Sequence, residues 1–178
     1  MKFSPLDLEG VFRIQVEPVI DQRGFFVRRF CAQTFRAHGL EDNLVQRSVS
    51  FNRRAGTVRG MHFQAAPHSE IKLVRCTRGA VFDVMVDLRK NSSSYGKWCG
   101  EVLSADNMVM LYIPRGFAHG FQALVDETEV DYEISPAYVP DAARGFRFDD
   151  PSVGIDWPIA DVIVSDRDKS LPAFSGLD

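Results

Sequence analysis

The sequence predicts an all-β fold, a sandwich or barrel of short strands with little helix. Short apolar-rich runs recur at close spacing along the chain, and Gly, Asn, Asp and Pro turns separate them. The N-terminal half offers one helical segment, Gln33 to His38 before Gly39, and it is short. At 178 residues, 45% hydrophobic and 25% charged, the chain is long enough to bury a core as one domain over residues 1–178.

Taken in order, Val11 to Glu17 reads as a strand, Asp21-Gln22-Arg23-Gly24 as a turn and Phe25 to Phe30 as a second strand. Leu44 to Asn52 follows as a strand, and Arg53 to Gly56 as the turn into the stretch Thr57 to Arg75. That stretch carries Val58 to Phe63 and Ile71 to Val74 as strands joined by a Pro-containing loop. Strict alternation along the first of them would put His62 and Gln64 on one face and Arg59, Met61 and Phe63 on the other. Gly60 marks a bulge, which would turn Arg59 and His62 to the same side. After the Arg78-Gly79 turn, Ala80 to Leu88 is the strongest strand signal, with Phe82, Val84, Val86 and Leu88 on one face and Val81, Asp83, Met85 and Asp87 on the other. Asn91 to Gly96 is a Ser-rich turn. Trp98 to Leu103, Met108 to Ile113, Phe117 to Leu124 and Thr128 to Ile134 complete the strands, and the Pro-rich tail from Pro136 reads as loop and short helix wrapped on the domain.

A net charge of −3 argues against a general nucleic-acid binder, which needs a surplus of Lys and Arg to meet phosphates, but allows a local basic pocket for one anionic ligand. Cys31, Cys76 and Cys99 are odd in number and lack a CxxC spacing, so the expectation is free thiols in a reducing compartment. The opening MKFSPLDLEG has no apolar core of a signal peptide, and no run is long enough to span a bilayer. These features place the protein in the cytoplasm, away from membranes.

Pro114-x-Gly116-x-x-His119 resembles the second motif of the cupins, a double-sheet family, and Arg59-Gly60-Met61-His62 stands where their first motif belongs. The resemblance implies a double-stranded β-helix, the cupin jelly roll, with short peripheral helices. A metal-binding cupin takes two His from an H-x-H, a Glu shortly after and a His from its second motif. Here the first motif reads His62-Phe63-Gln64, and Gln64 is a poor ligand for a transition metal. His68 and Glu70 are the nearby donors in reserve, and His68 beside Pro67 reads as a solvated loop residue. The expectation is therefore no metal and no cofactor. There remain His62, His119, Arg59 and Lys72 around one cavity. A lone His on an apolar strand is more often a hydrogen-bonded core residue. Four such groups without a counter-charge predict an anionic ligand, or a negative charge that develops during reaction, as their partner.

Val58 to Gln64, Lys72 to Arg89, Ser92 to Trp98, Leu103 to Asn107, Ile113 to Phe121, Thr128 to Tyr132, Phe148 to Pro151 and Gly154 to Pro158 together resemble the dTDP-4-dehydrorhamnose 3,5-epimerase family, a branch of the cupins. The similarity extends from Asp21 to Asp168. It implies an isomerase that inverts C3, C5 or both in a nucleotide-diphosphate-linked 4-keto-6-deoxy sugar, with a dTDP, CDP or GDP carrier. The keto group acidifies the neighbouring C–H bonds, so a base can form an enolate and an acid can return a proton on the opposite face. By resemblance His62 is the base and Asp168 orients it; Asp83, on a better-defined strand, is the rival orienter. Lys72 stabilises the enolate oxygen and Tyr132 donates the proton. His119 and Arg59 line the sugar and diphosphate pocket, Tyr138 stacks on the base, and Arg23 contacts the nucleotide, often across a homodimer interface. Read without the resemblance, Tyr132 is a core aromatic with a polar tip, Asp168 a solvated tail residue and Arg23 a turn arginine.

The nucleotide-binding pattern departs from that of the family. Phe26-Val27-Arg28 stands for Phe-x-Glu, Gln46-Arg47-Ser48 for Gln-Asp-Asn, Ala142-Ala143-Arg144 for a stretch where an acidic residue is common, and Arg167 for Lys. Phe26, Arg28, Gln46 and Ser48 are thus the positions on which the choice of nucleotide turns, since a reversed charge at a contact excludes the original partner unless another group compensates. Two further readings stand beside the epimerase: a metal-dependent cupin oxygenase or isomerase, and a non-catalytic sugar-binding cupin. Simple binding has no need of His62, Lys72 and Tyr132 together.

Overall fold

The computed structural model describes residues 1–176. Strands β1 (Lys2–Pro5), β2 (Phe12–Gln15), β5 (Gln46–Asn52), β7 (Ile71–Arg78), β10 (Val109–Ile113) and β12 (Thr128–Ser135) form a six-stranded sheet in the order β1-β2-β10-β7-β12-β5. Strands β6 (Val58–Gln64), β8 (Ala80–Asp87), β9 (Trp98–Ser104), β11 (Phe117–Ala123) and β13 (Ala143–Gly145) form a five-stranded sheet ordered β13-β6-β11-β8-β9. The pairs are antiparallel, and chain neighbours repeatedly fall in different sheets, the crossover pattern of the predicted jelly roll. A separate hairpin, β3 (Val19–Asp21) with β4 (Gly24–Phe26), and two short helices, α1 (Ala32–Ala37) and α2 (Asp166–Lys169), complete the framework.

The two sheets pack face to face. Val74, Leu111 and Val130 of the larger sheet meet Val81, Met85 and Phe121 of the smaller one in the central core. The outer face of the six-stranded sheet, with Ile14, Leu73 and Met110, is covered by Phe35 of α1 and Leu40. Burying a phenylalanine of this kind contributes about 1.5–3 kcal/mol. Val84, Val86 and Met61 on the outer face of the five-stranded sheet are covered by Phe146, Val153 and Trp157 from the C-terminal tail. The two faces of β8 therefore divide as its alternation predicts.

Three expectations need correction. The strand expected over Phe25 to Phe30 ends at Phe26, because Val27 and Phe30 turn inward onto the apolar layer around Phe35. The opening residues form β1, which the sequence reading left out; it is a strand because the turn between Leu8 and Val11 lays it along β2. Ala143–Gly145, read as loop, is the edge strand β13, paired with Gln64, Phe63 and His62 of β6.

Candidate active site

A cavity of about 420 Å³ opens between the sheets, with His62, His119, Arg59, Lys72 and Tyr132 among its lining residues. Its shape begins with a bulge in β6. His62 pairs with His119 and Arg59 with Phe121, so three steps along β6 answer two along β11. Gly60 makes this possible: at φ 147° its position for a Cβ lies 2.7 Å from the Gly120 Cα, a gap only glycine tolerates. The extra residue breaks the alternation. Arg59 and His62 both reach the cavity, as the bulge predicted, and Met61 is buried in the outer layer.

His62 Nε2 lies 2.8 Å from Asp168 Oδ1. Asp168 sits on α2, where Ser165 caps the helix by accepting from the Asp168 amide at 3.1 Å. Its second oxygen accepts from the Gly60 N–H at 3.4 Å. Burial works to raise the carboxyl pKa, but the hydrogen bond and charge of His62, the Gly60 amide and Arg167 outweigh it and hold Asp168 below the usual carboxylate range. An ionised carboxylate only accepts, so the imidazole donates from Nε2, and in the neutral form its lone pair lies on Nδ1. Asp83, the rival orienter, is committed elsewhere: both its oxygens lie 2.9 Å from His119 Nε2, and the pair is buried.

The facing sheet supplies Lys72 from β7 and Tyr132 from β12. The phenol is 3.3 Å from Ser50 Oγ, and its ring meets His119 edge-on at 6.1 Å. Burial pushes the Tyr132 pKa above its ordinary value despite the Ser50 hydrogen bond. The expectation that Lys72 and Arg59 lack partners within the chain is wrong. Lys72 Nζ lies 2.8 Å from Glu70 Oε1, and Arg59 donates to Asn52 Oδ1 at 2.8 Å and to the Phe51 carbonyl at 3.3 Å. Cost of burial alone therefore does not require an anionic ligand.

At the rim stand Ser48, half-exposed Tyr138, Arg144 and Arg167. Gln46 does not line the cavity; its Oε1 accepts from the Tyr138 amide at 2.9 Å and braces that loop instead. Gln64 has a similar bracing role, accepting from Val139 N–H at 2.7 Å and donating to the His68 carbonyl at 3.3 Å. Arg23, Phe26 and Arg28 are not brought to this cavity. The Asp21–Gly24 turn projects them on an exposed hairpin and its exit, with the Arg23 guanidinium held by Asp21. Among the described residues no three His, Cys, Asp or Glu side chains converge as metal donors.

Sequence reasoning weighed Glu70 only as a metal donor and missed Ser50, Asn52 and Ser165. The two-residue spacing of Glu70 from Lys72, and of Ser50 from Ser48, was the available signal, because it places each pair on one strand face.

The family model described as dTDP-4-dehydrorhamnose 3,5-epimerase matches residues 5–176. The chain is 42% identical over 178 residues to a dTDP-4-dehydrorhamnose 3,5-epimerase of Sinorhizobium fredii, covering 99% of this chain and 91% of the relative. The crystal structure of the enzyme of that name from Elizabethkingia anophelis superposes with a TM-score of 0.94 at 37% identity, over 98% of this chain and 97% of the other. The dTDP-6-deoxy-D-glucose-3,5-epimerase of Legionella pneumophila, solved with dTDP-4-keto-L-rhamnose, gives a TM-score of 0.94 at 32% identity, over 99% and 94% of the two chains.

Proposed function

This chain belongs to the dTDP-4-dehydrorhamnose 3,5-epimerase family, and from that premise we propose that it is an isomerase inverting C3 and C5 of a dTDP-linked 4-keto-6-deoxy sugar. One observation carries the reading most: His62, held by Asp168, and Tyr132 come from facing sheets onto one cavity. The His62 Nδ1 lone pair takes the proton from the carbon beside the ketone, and the C–H electron pair moves through the new C=C bond onto the keto oxygen. Lys72 receives that negative charge; one well-aimed donor of this kind is worth about 3–4 kcal/mol in comparable sites. Tyr132 then gives its proton to the opposite face of the carbon. Burial keeps the phenol protonated at rest, as a proton donor needs to be. Solvent resets both groups.

Arg59 and Arg167 supply cationic contacts for the diphosphate, His119 contacts the sugar, and Tyr138 and Ser48 serve the nucleotide end. The working form is a homodimer. Strand β5 is a sheet edge with Val49 and Phe51 exposed, and the β3–β4 hairpin exposes Ile20 and Phe26. A second copy would cover these faces and bring Arg23, Phe26 and Arg28 toward its neighbour's cavity. The proposed compartment is the cytoplasm, in keeping with three cysteines that form no disulfide. Among the described residues no helix is long and apolar enough to cross a membrane.

Incubating the protein with a dTDP-4-keto-6-deoxy sugar in deuterated water tests the reading. Deuterium is expected at C3 and C5 together with net inversion. Label at C3 alone would narrow the activity to one centre, and no label with any dTDP, CDP or GDP substrate would contradict it.

A further inference from the structure

Glu70 has no part in the proton transfers above, yet it lies in the same cavity. It immediately precedes β7, two residues before Lys72, so both side chains fall on the face turned toward the five-stranded sheet. Glu70 Oε1 is 2.8 Å from Lys72 Nζ, and the two side chains keep only 10% and 11% of their exposure. We propose that Glu70 is a positioning residue: it accepts a hydrogen bond from the Lys72 ammonium and fixes that group where the enolate oxygen forms. This inference rests on the epimerase reading.

The chemistry of the cavity requires such an anchor. A lysine ends in a compact charge on a flexible four-carbon stem, and an oxyanion stabiliser works only if it is in place before the charge appears. The ammonium has three donors, so one can go to Glu70 while two stay turned to the ligand. Of the other charged groups in the cavity, Asp168 holds His62, while Arg59, Arg144 and Arg167 repel a second cation. His119 is held by Asp83. Glu70 is left as the carboxylate paired with Lys72. When His62 takes a proton the cavity gains a further positive charge, and the anchor holds the ammonium against that repulsion.

The test is steady-state kinetics on full-length variants with a dTDP-4-keto-6-deoxy sugar, alongside thermal melts. Glu70→Ala should lower kcat by about 10- to 100-fold with KM changed less than about 3-fold, the pattern of an interaction made in the transition state. Glu70→Gln, which keeps an acceptor oxygen, should recover most of that loss. In a Lys72→Met background Glu70→Ala should cost little more, because the partner it positions is gone. Wild-type kcat in Glu70→Ala, a loss confined to KM, no recovery by Gln, or losses that multiply in the double variant would each overturn the proposal. If the alanine variant does not melt cooperatively, Glu70→Asp carries the comparison. Its carboxylate is withdrawn by one methylene, so a reduced kcat is expected and an unchanged one overturns the assignment. A wild-type protein that inverts no such sugar overturns the epimerase reading itself, and this inference with it; an active wild type with an unaffected Glu70 variant overturns the inference alone.

Discussion

Asp168 does two things at once at the residue scale: it fixes the His62 tautomer and, through the Gly60 amide, ties α2 to the bulge in β6. Asp168→Asn should reduce turnover by up to about 10,000-fold, the loss seen when the orienting carboxylate of a Ser-His-Asp site becomes an amide, and initial-rate assays measure it. The carboxyl pKa is depressed in the folded protein, so its stabilising effect is full above the unfolded value and is lost as pH falls through the folded one. Melting temperature as a function of pH should therefore show a gap between wild type and Asp168→Asn that is constant at neutral pH. The gap should close below about pH 4, the ordinary carboxylate value. A gap that widened in acid would contradict the assignment.

Two elements position the chemistry, the bulged strand β6 and the short helix α2. A methyl group on Gly60 would lie 2.7 Å from the Gly120 Cα at a backbone φ of 147°, and neither backbone can yield without moving the paired strands. Gly60→Ala should lose about 2–4 kcal/mol in denaturant unfolding, with activity falling in step. Gly39→Ala, at φ 70° but with open space around it, should lose only about 1 kcal/mol. The bulge was legible because a glycine interrupts an otherwise strand-like run, and β8 was legible because its own alternation decides its two faces. β1 and β13 were not, since each is a strand by virtue of its partner rather than its own pattern. The His62–Asp168 pair spans 106 residues of sequence, so period and spacing say nothing of it; only the family resemblance pointed there. The Lys72–Glu70 pair, by contrast, was within reach of the period-two rule, since two residues along a strand share a face.

For the whole molecule, the decisive feature is that His62, the proposed base, and Tyr132, the proposed acid, come from different sheets, so the cavity they line exists only when the sandwich closes. The same closure leaves the β5 edge and the β3–β4 hairpin exposed, with Phe26 at 74% and Ile20 at 76% of full exposure. Phe26→Asp should convert a dimer to a monomer by light scattering and weaken dTDP binding, if a second copy covers this face; an unchanged mass would remove the hairpin from the interface. The most direct measurement is site-resolved deuterium incorporation by NMR with His62→Ala and Tyr132→Phe compared on the same 4-keto sugar nucleotide. Removal of the imidazole should abolish exchange at both carbons. Removal of the phenolic hydroxyl should leave exchange while blocking inversion. Equal residual inversion in the two variants would contradict a base and an acid working from opposite walls of the cavity.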